Sequence, residues 1–240
     1  MKTFATISIY CLLLSVLHIS WKVPAPGELP APASAAAVSE ENERISTLYD
    51  MMGLREKGLS KTAFQYAYRG YTYLLRKKII SRSEYLTICD FSQSSGKKRL
   101  YVLDMSGNEV VMNTYVAHGR NSGAEFARYF SNRPRSNQSS LGFYRTQHTY
   151  SGEHGLSLRV KGLEAGFNDK AGPRAIVIHG ADYVGEEWLN QNKIMGRSYG
   201  CPAVPRAESR ELINLIRDGS CLFIYYPSKT YLKNSKILNG

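Results

Sequence analysis

The hydrophobic pattern of the chain changes near residue 80, and this change constrains the fold more than any other feature. From Tyr85 onward, short apolar runs alternate with clusters of glycine, serine and asparagine, as is typical of β-strands joined by turns. Many short strands with few helices predict a mainly β fold, either a sandwich or a partly open barrel with a few flanking helices. The predicted strands are 85–91, 99–105, 109–116, 141–146, 155–161, 174–179 and 221–226.

The segment 38–80 has a helical pattern instead. Its second half carries apolar and aromatic side chains at helical spacing, which we interpret as a face that packs on the following domain. These side chains are Phe64, Ala67, Tyr68, Tyr71, Leu74 and Leu75. Capping residues predict helices from Ser39 to Gly53, from Ser60 to Lys77 and from Pro205 to Asp218.

The N-terminus has the composition of a targeting segment. Lys2 precedes an apolar run from Phe4 to Trp21, and a proline- and alanine-rich stretch follows as far as Ala37. This order is typical of a secretory signal peptide, but the apolar run also reaches the lower length limit for spanning a bilayer. We therefore expect an exported protein of the periplasm or cell envelope, with residues 1–37 forming either a cleaved signal or an N-terminal membrane anchor.

The charge balance is basic, with 31 Lys and Arg against 20 Asp and Glu and a formal net charge of +11. Such an excess favours anionic partners such as membranes, wall polymers or nucleic acid, or it is simply the surface of a basic protein. The charges form no long block of one sign, and the sequence has no zinc-finger or RNA-binding signature. We therefore expect no nucleic-acid partner.

Three cysteines follow residue 37, an odd number that indicates at least one free thiol in an exported protein. Cys89 and Cys221 lie in predicted strands, where cysteine behaves as a small buried hydrophobe, and the sequence leaves open whether they pair. Cys201 differs, because it lies between Gly200 and Pro202. Glycine allows close approach of a substrate, and proline pushes the preceding residue towards an extended conformation. This pattern predicts a thiol held at a tight turn.

A histidine follows the clearest predicted strand and is the natural partner of that thiol. Four apolar residues lead from Ala175 into His179, and Gly180 is expected to turn the chain. A cysteine needs such help, because its pKa near ~8.5 leaves it only a few per cent ionised at pH 7. A nearby imidazole, or the N-terminus of the helix after Pro205 if it faces the thiol, would lower that pKa.

Other groups in the same segment have candidate roles. The backbone N–H groups of Tyr199, Gly200 and Cys201 are candidate donors to an oxyanion. Ser198 is either a turn residue or a group that orients His179. We expect no metal site, because the sequence has neither a C-x-x-C nor an H-E-x-x-H motif.

These residues resemble a known family. His179-Gly180 followed by Ser198-Tyr199-Gly200-Cys201 is similar to the signature of the L,D-transpeptidases of bacterial cell walls, and the Cys-Pro that follows resembles the murein L,D-transpeptidase catalytic-domain branch. Three further stretches are similar to that branch: 116–119, 139–144 and 162–168. The residues after Cys201 depart from the more usual pattern, in which a polar or basic residue and an asparagine follow the cysteine.

The resemblance implies an L,D-transpeptidase-like β-sandwich and no cofactor. It implies that Cys201 is the nucleophile and His179 the base, acting on the tetrapeptide stem of peptidoglycan through a thioacyl-enzyme that passes its acyl group to an acceptor amine. Water as acceptor would make the protein a carboxypeptidase, and a wall-binding protein without activity is the remaining alternative. We expect a monomer with a helical segment at 38–80, a catalytic domain at 81–232 and a tail at 233–240.

Residues around the pair are predicted to bind substrate: Gly180, His118 and Tyr183. His118 also precedes a glycine at a strand end, so it either contacts substrate or caps the strand. The polar stretch 119–140 is long for a plain connection and favours a functional loop or cleft wall. Its arginines either meet substrate carboxylates or form a solvated basic loop: Arg128, Arg133 and Arg135.

Overall fold

The computed structural model describes residues 35–240, which form five helices and eight strands. In chain order the elements are α1 (Ala35–Met51), α2 (Lys61–Arg76), β1 (Tyr85–Asp90), β2 (Leu100–Asp104), β3 (Glu109–Thr114), β4 (Gly142–Gly152), β5 (Gly155–Gly162), β6 (Val177–Ala181), α3 (Glu186–Gln191), β7 (Ala203–Pro205), α4 (Arg206–Ile216), β8 (Cys221–Tyr225) and α5 (Lys229–Asn234). The predicted signal or anchor lies outside the described residues, apart from its last three positions, which begin α1. Across 35–240, no helix is long and apolar enough to cross a membrane.

All eight strands belong to one sheet, in the order β3-β2-β1-β8-β4-β5-β6-β7. The pairs β1–β8 and β6–β7 are parallel, and the other neighbours are antiparallel. An isolated bridge joins Ala117, just after β3, to Ala203 of β7 at the opposite edge. The sheet is therefore curled into a nearly closed barrel, which confirms the mainly β prediction in its barrel form.

The helix α2 packs on this sheet through the predicted aromatic stripe. Ser60 caps the helix by accepting a hydrogen bond from the Ala63 amide, and the apolar side chains of the stripe are buried, except the half-buried Leu75. Gly70 lies so close to the sheet that an added Cβ would be 1.9 Å from the ring of Phe143. Both helices of the N-terminal segment share one continuous hydrophobic core with the sheet.

The sequence pattern missed three short elements and one extension. It did not predict β7, α3 or α5, and it ended β4 six residues early. The predicted tail at 233–240 is not separate from the domain, because Ser235 and Ile237 are buried and Ser235 hydrogen-bonds the buried Glu164. Elements of three to six residues carry too few positions for a recognisable period.

The two strand cysteines are free thiols. Cys89 of β1 and Cys221 of β8 are fully buried on neighbouring parallel strands, where Leu86 is the register partner of Cys221. They therefore lie three positions apart along the sheet and do not pair. Burial raises the pKa of the Cys89 thiol to about 12, so both behave as packed hydrophobes.

Candidate active site

Cys201 and His179 line one cavity of about 540 Å³ on the surface of the barrel. The cavity is lined by Arg120, His154, His179, Tyr183, Trp188, Asn192, Lys193, Ile194, Met195, Gly196, Arg197, Ser198, Tyr199 and Cys201. Two residues that are 22 positions apart in sequence thus line the same open groove. Within residues 35–240, no cluster of three or more His, Cys, Asp or Glu side chains could hold a metal ion.

The parallel pairing of β6 and β7 brings the two residues together. His179 is the register partner of Ala203, and Cys201 lies two positions before Ala203. The amide of Val177 hydrogen-bonds the Cys201 sulfur, so Cys201 lies beside a residue two positions before His179 on β6. Since side chains alternate along a strand, positions two apart project to the same face of the sheet. Sulfur and imidazole therefore project to the same side.

His179 lies inside β6, not at its end as predicted, and its side chain is only 3% exposed. Its Nδ1 atom is 3.1 Å from the carbonyl oxygen of Gly180. A carbonyl only accepts, so Nδ1 carries the proton and Nε2 has the free lone pair. Burial lowers the pKa of His179, and the positive charges of His154 and Arg206 lower it further. The imidazole is therefore neutral and able to accept a proton.

Cys201 is a half-buried free thiol. Its sulfur donates to the carbonyl of Ala175 at 3.8 Å. Burial raises the pKa of this thiol, although the Val177 amide and the charge of Arg174 oppose the shift. The expectation of a lowered thiol pKa is therefore wrong for the resting protein, because desolvation outweighs the nearby positive groups. Burial therefore disfavours the charged form of both members of the pair.

Ser198 holds the cysteine loop together from within. Its hydroxyl donates to the Cys201 carbonyl at 2.6 Å and accepts the Gly200 amide at 3.0 Å. The loop is also joined to the chain after β3. The Ser198 amide donates to the backbone carbonyl of His118, and the Arg120 amide donates to the backbone carbonyl of Ser198. Of the two interpretations of Ser198, these contacts support the turn residue. They do not support a group that orients His179.

Two glycines of the signature are required by close packing. Gly200 has φ +124°, and an added Cβ would lie 2.8 Å from the carbonyl oxygen of Gln138. At Gly180 a Cβ would lie 2.9 Å from the Cβ of Ser209 and 3.1 Å from the Cα of Arg206. Gly180 therefore continues β6 and admits α4 beside the strand, whereas the sequence predicted that it turns the chain and contacts substrate.

His118 is not among the residues that line the cavity. The side chain is fully buried, and its Nδ1 is 2.8 Å from Nη2 of Arg99, itself a buried guanidinium. Nε2 lies 3.3 Å from the carbonyl of Gly123, and the ring meets Phe91 edge-on. The prediction of a substrate contact is therefore wrong for this geometry, because burial excludes the ring from the cavity.

The polar stretch 119–140 packs beside the cysteine loop, and Arg174 fastens it there. The Arg174 guanidinium donates to the carbonyls of Ser131 at 2.8 Å and Gln138 at 2.5 Å, and also to the Ser140 hydroxyl. The three arginines predicted as possible carboxylate contacts are exposed on this stretch and outside the cavity lining: Arg128, Arg133 and Arg135.

Basic residues that the sequence reasoning did not select line the cavity instead: Arg120, Lys193 and Arg197. The Arg120 guanidinium lies 5.7 Å over the ring of Tyr199, which is 70% exposed at the rim. Tyr183 does line the cavity, and its ring meets Trp188 edge-on at 6.5 Å. Two of the missed residues flank predicted motifs, Arg120 next to His118-Gly119 and Arg197 next to Ser198.

His154 is the other missed residue. It lies at the turn between β4 and β5, and its ring stacks on His179 with centroids 4.2 Å apart and planes 21° apart. The sequence signal was a pair of glycines, Gly152 and Gly155, around a hairpin turn. Its contact with a strand 25 positions away depends on how β5 pairs with β6.

Comparison with known proteins identifies a family. A family model described as the L,D-transpeptidase catalytic domain matches residues 55–225. A comparison with curated proteins finds no match. Among solved structures, an L,D-transpeptidase from Mycobacterium smegmatis is 11% identical with a TM-score of 0.37, covering 60% of this chain and 59% of its own. L,D-transpeptidase 3 from Mycobacterium tuberculosis is 10% identical with a TM-score of 0.39, covering 60% and 61%.

A third structure, Bd1075 of Bdellovibrio bacteriovorus, is 17% identical with a TM-score of 0.39, covering 68% of this chain and 55% of its own. The chain thus spans about three fifths of the length of the first structure that it matches.

Proposed function

Because the chain belongs to the L,D-transpeptidase family, we propose that it is a cysteine-dependent peptidoglycan L,D-transpeptidase with Cys201 as nucleophile and His179 as base. The supporting observation is the shared cavity, which is lined by the thiol, on the loop before β7, and by an imidazole with a free Nε2 on the neighbouring strand β6. The substrate would be the tetrapeptide stem of peptidoglycan. The protein would be located in the cell envelope, and the apolar run 4–21 would serve export or anchoring.

In the acylation step, the Cys201 sulfur attacks the carbonyl carbon of the third stem residue. His179 Nε2 accepts the thiol proton and then delivers it to the nitrogen of the terminal D-alanine as the amide C–N bond breaks. The products are a thioester on Cys201 and free D-alanine. Because burial raises the pKa of Cys201 and lowers that of His179, we expect the proton to move during the attack and not before it.

The attack creates an oxyanion that needs hydrogen-bond donors. The Gly200 amide already donates to Ser198 Oγ, so the amides of Tyr199 and Cys201 are the better candidates of the three predicted donors. Ser198 contributes indirectly, because its two hydrogen bonds fix the loop on which those amides lie. Gly200 and Ser198 therefore act on loop shape and not on the reacting atoms.

The charge of the cavity suits an anionic stem peptide. Arg120, Lys193 and Arg197 line it together with the aromatic groups Tyr183 and Trp188. We expect the basic side chains to bind stem carboxylates and the aromatic pair to cover the acyl chain.

In the second step an acceptor amine attacks the thioester carbonyl and gives its proton to His179. The C–S bond then breaks, and the proton returns to the sulfur.

Two measurements on the full-length protein test the proposal. Incubation with a carbapenem followed by intact mass measurement should give one adduct on wild type and none on Cys201→Ala. Incubation with tetrapeptide muropeptides should give cross-linked dimers and free D-alanine. Tripeptide alone would show water as the acceptor and assign a carboxypeptidase, and wall binding without any turnover would assign a non-catalytic protein.

A further inference from the structure

The tip of the β4–β5 hairpin covers the candidate base with a second imidazole. His154 and His179 stack at 4.2 Å with nearly parallel planes, and both line the cavity that contains Cys201. His154 itself is exposed on its other side. An exposed ring at a hairpin turn has no packing reason to lie on a strand residue unless the contact is held from elsewhere.

A clamp from α4 holds the hairpin tip in place. Arg206, the first residue of α4, donates through Nη1 to the His154 carbonyl at 3.4 Å. The other nitrogens of the same guanidinium bind both carboxylate oxygens of Asp182 at 2.5 and 2.9 Å. Asp182 directly follows β6, so the clamp joins the hairpin to the strand that carries His179. Pairing of Ser157 with His179 fixes the other end of the contact.

We propose that His154 is a positioning residue for the base, whose stacked ring holds the imidazole plane of His179 so that Nε2 faces the thiol. The inference rests on the proposed function of His179. The hydrogen bond from Nδ1 to the Gly180 carbonyl fixes one edge of the ring but leaves its plane free to tilt about that bond. Stacking restricts this tilt, and a proton acceptor aimed within a few tenths of an ångström reacts faster.

The stacked ring also sets the charge next to the base. The titratable and charged groups that face His179 are His154 from the hairpin, Arg206 from α4, Cys201 from the loop before β7 and Tyr183 after β6. Arg206 is neutralised by Asp182, whereas His154 has no carboxylate within ion-pair distance in the described part of the chain. Positive charge on His154 disfavours protonation of His179, so its removal should raise the pKa of the base.

Two variants separate the effect of the stacked ring from the effect of its charge. His154→Ala removes both, and His154→Phe keeps a flat ring without a charge. The matched control is His148→Ala, an exposed histidine on β4 of the same hairpin and outside the cavity lining. Each full-length variant is measured for the pH profile of carbapenem acylation and for the NMR titration of His179.

We expect His154→Ala to slow acylation about tenfold at pH 8. We expect His154→Phe to retain most of that rate while the acid limb and the His179 titration move up by about half a pH unit. His148→Ala should match wild type. The inference is overturned if His154→Ala acylates like the control, or if Phe fails to restore the rate. Circular dichroism of both His154 variants verifies the fold.

The NMR titration keeps the two proposals apart. A wild-type protein that no carbapenem acylates contradicts the proposed function, yet a shifted His179 titration in His154→Phe still supports the contact. Normal acylation with unchanged His179 titrations in both variants contradicts the positioning role alone.

Discussion

Two of the three His-Gly pairs of the chain, His118-Gly119 and His179-Gly180, lie at predicted strands, and the fold gives them opposite surroundings. His179 lies beside an open cavity with its Nδ1 proton on a backbone carbonyl, so Nε2 is free. His118 is fully buried with both ring nitrogens in contact with protein groups, one of them the Arg99 guanidinium. An imidazole whose nitrogens are both engaged cannot take a proton from a substrate or a thiol. The comparison shows that a free nitrogen next to a cavity separates a candidate base from a structural histidine.

The two regions are nevertheless joined. The His118 carbonyl accepts the Ser198 amide, and Gly119 bridges to Ser198. The buried Arg99–His118 pair therefore supports the loop that carries Cys201, although it takes no direct part in the chemistry. Substitutions on either side should separate a loss of chemistry from a loss of stability.

The largest expected effect is on the open side. His179→Ala should lower the rate of carbapenem acylation by about a thousandfold, because the thiol loses its proton acceptor. His118→Gln, in which the amide can still accept from Arg99 and donate to Gly123, should lower it by less than tenfold. Stopped-flow acylation kinetics on the two variants make the comparison. Equal losses in both would contradict the division between base and support.

The second effect is on stability and belongs to the buried side. Burial and the Arg99 charge lower the pKa of His118 to about 4. The unfolded chain takes up this proton near pH ~6.5, whereas the folded protein resists it until about pH 4. The contribution of neutral His118 to the free energy of unfolding is therefore complete above the pKa of the unfolded state. It is lost as the pH falls towards the pKa of the folded state, and the loss amounts to about 3 kcal/mol at most.

Urea unfolding between pH 7 and pH 4 measures this loss. His179 acts in the same direction because its pKa is also lowered, so the comparison is wild type against His118→Gln. The variant should lose less stability over this range, and the exposed control His148→Ala should follow wild type. A wild-type stability that is constant down to pH 4 would show that His118 is not held neutral.

The sequence was sufficient to predict the pair and insufficient to predict what surrounds it. Short apolar runs predicted seven of the eight strands, and the chemistry of Ser198–Cys201 indicated the thiol. The role of His118 required burial, which depends on how Arg99 and the chain after β3 fold over it. His154 depended on strand register, and the raised pKa of Cys201 on desolvation. These are tertiary properties that no local pattern encodes.

A smaller effect is expected inside the cysteine loop. Ser198→Ala removes the acceptor of the Gly200 amide and the donor to the Cys201 carbonyl. The buried Gly200 amide then lacks a partner, so we expect a loss of about 1–2 kcal/mol in the free energy of unfolding and an acylation rate about tenfold lower. Ser151→Ala, an exposed serine on β4, is the matched control. A Ser198→Ala protein as stable as this control would show that the two Ser198 hydrogen bonds do not stabilise the cysteine loop.

The smallest effect is a signal that should be missing. Burial keeps the Cys201 thiol and the His179 imidazole uncharged, just as burial keeps His118 uncharged. The difference in absorbance at 240 nm between wild type and Cys201→Ala should therefore show no thiolate below pH 8, and His179→Ala should leave this result unchanged. An acidic thiolate step that disappears in His179→Ala would instead establish a resting ion pair. Since desolvation penalises both charges, a missing thiolate signal would support proton transfer during the attack, and the two histidines would then differ in access and not in charge.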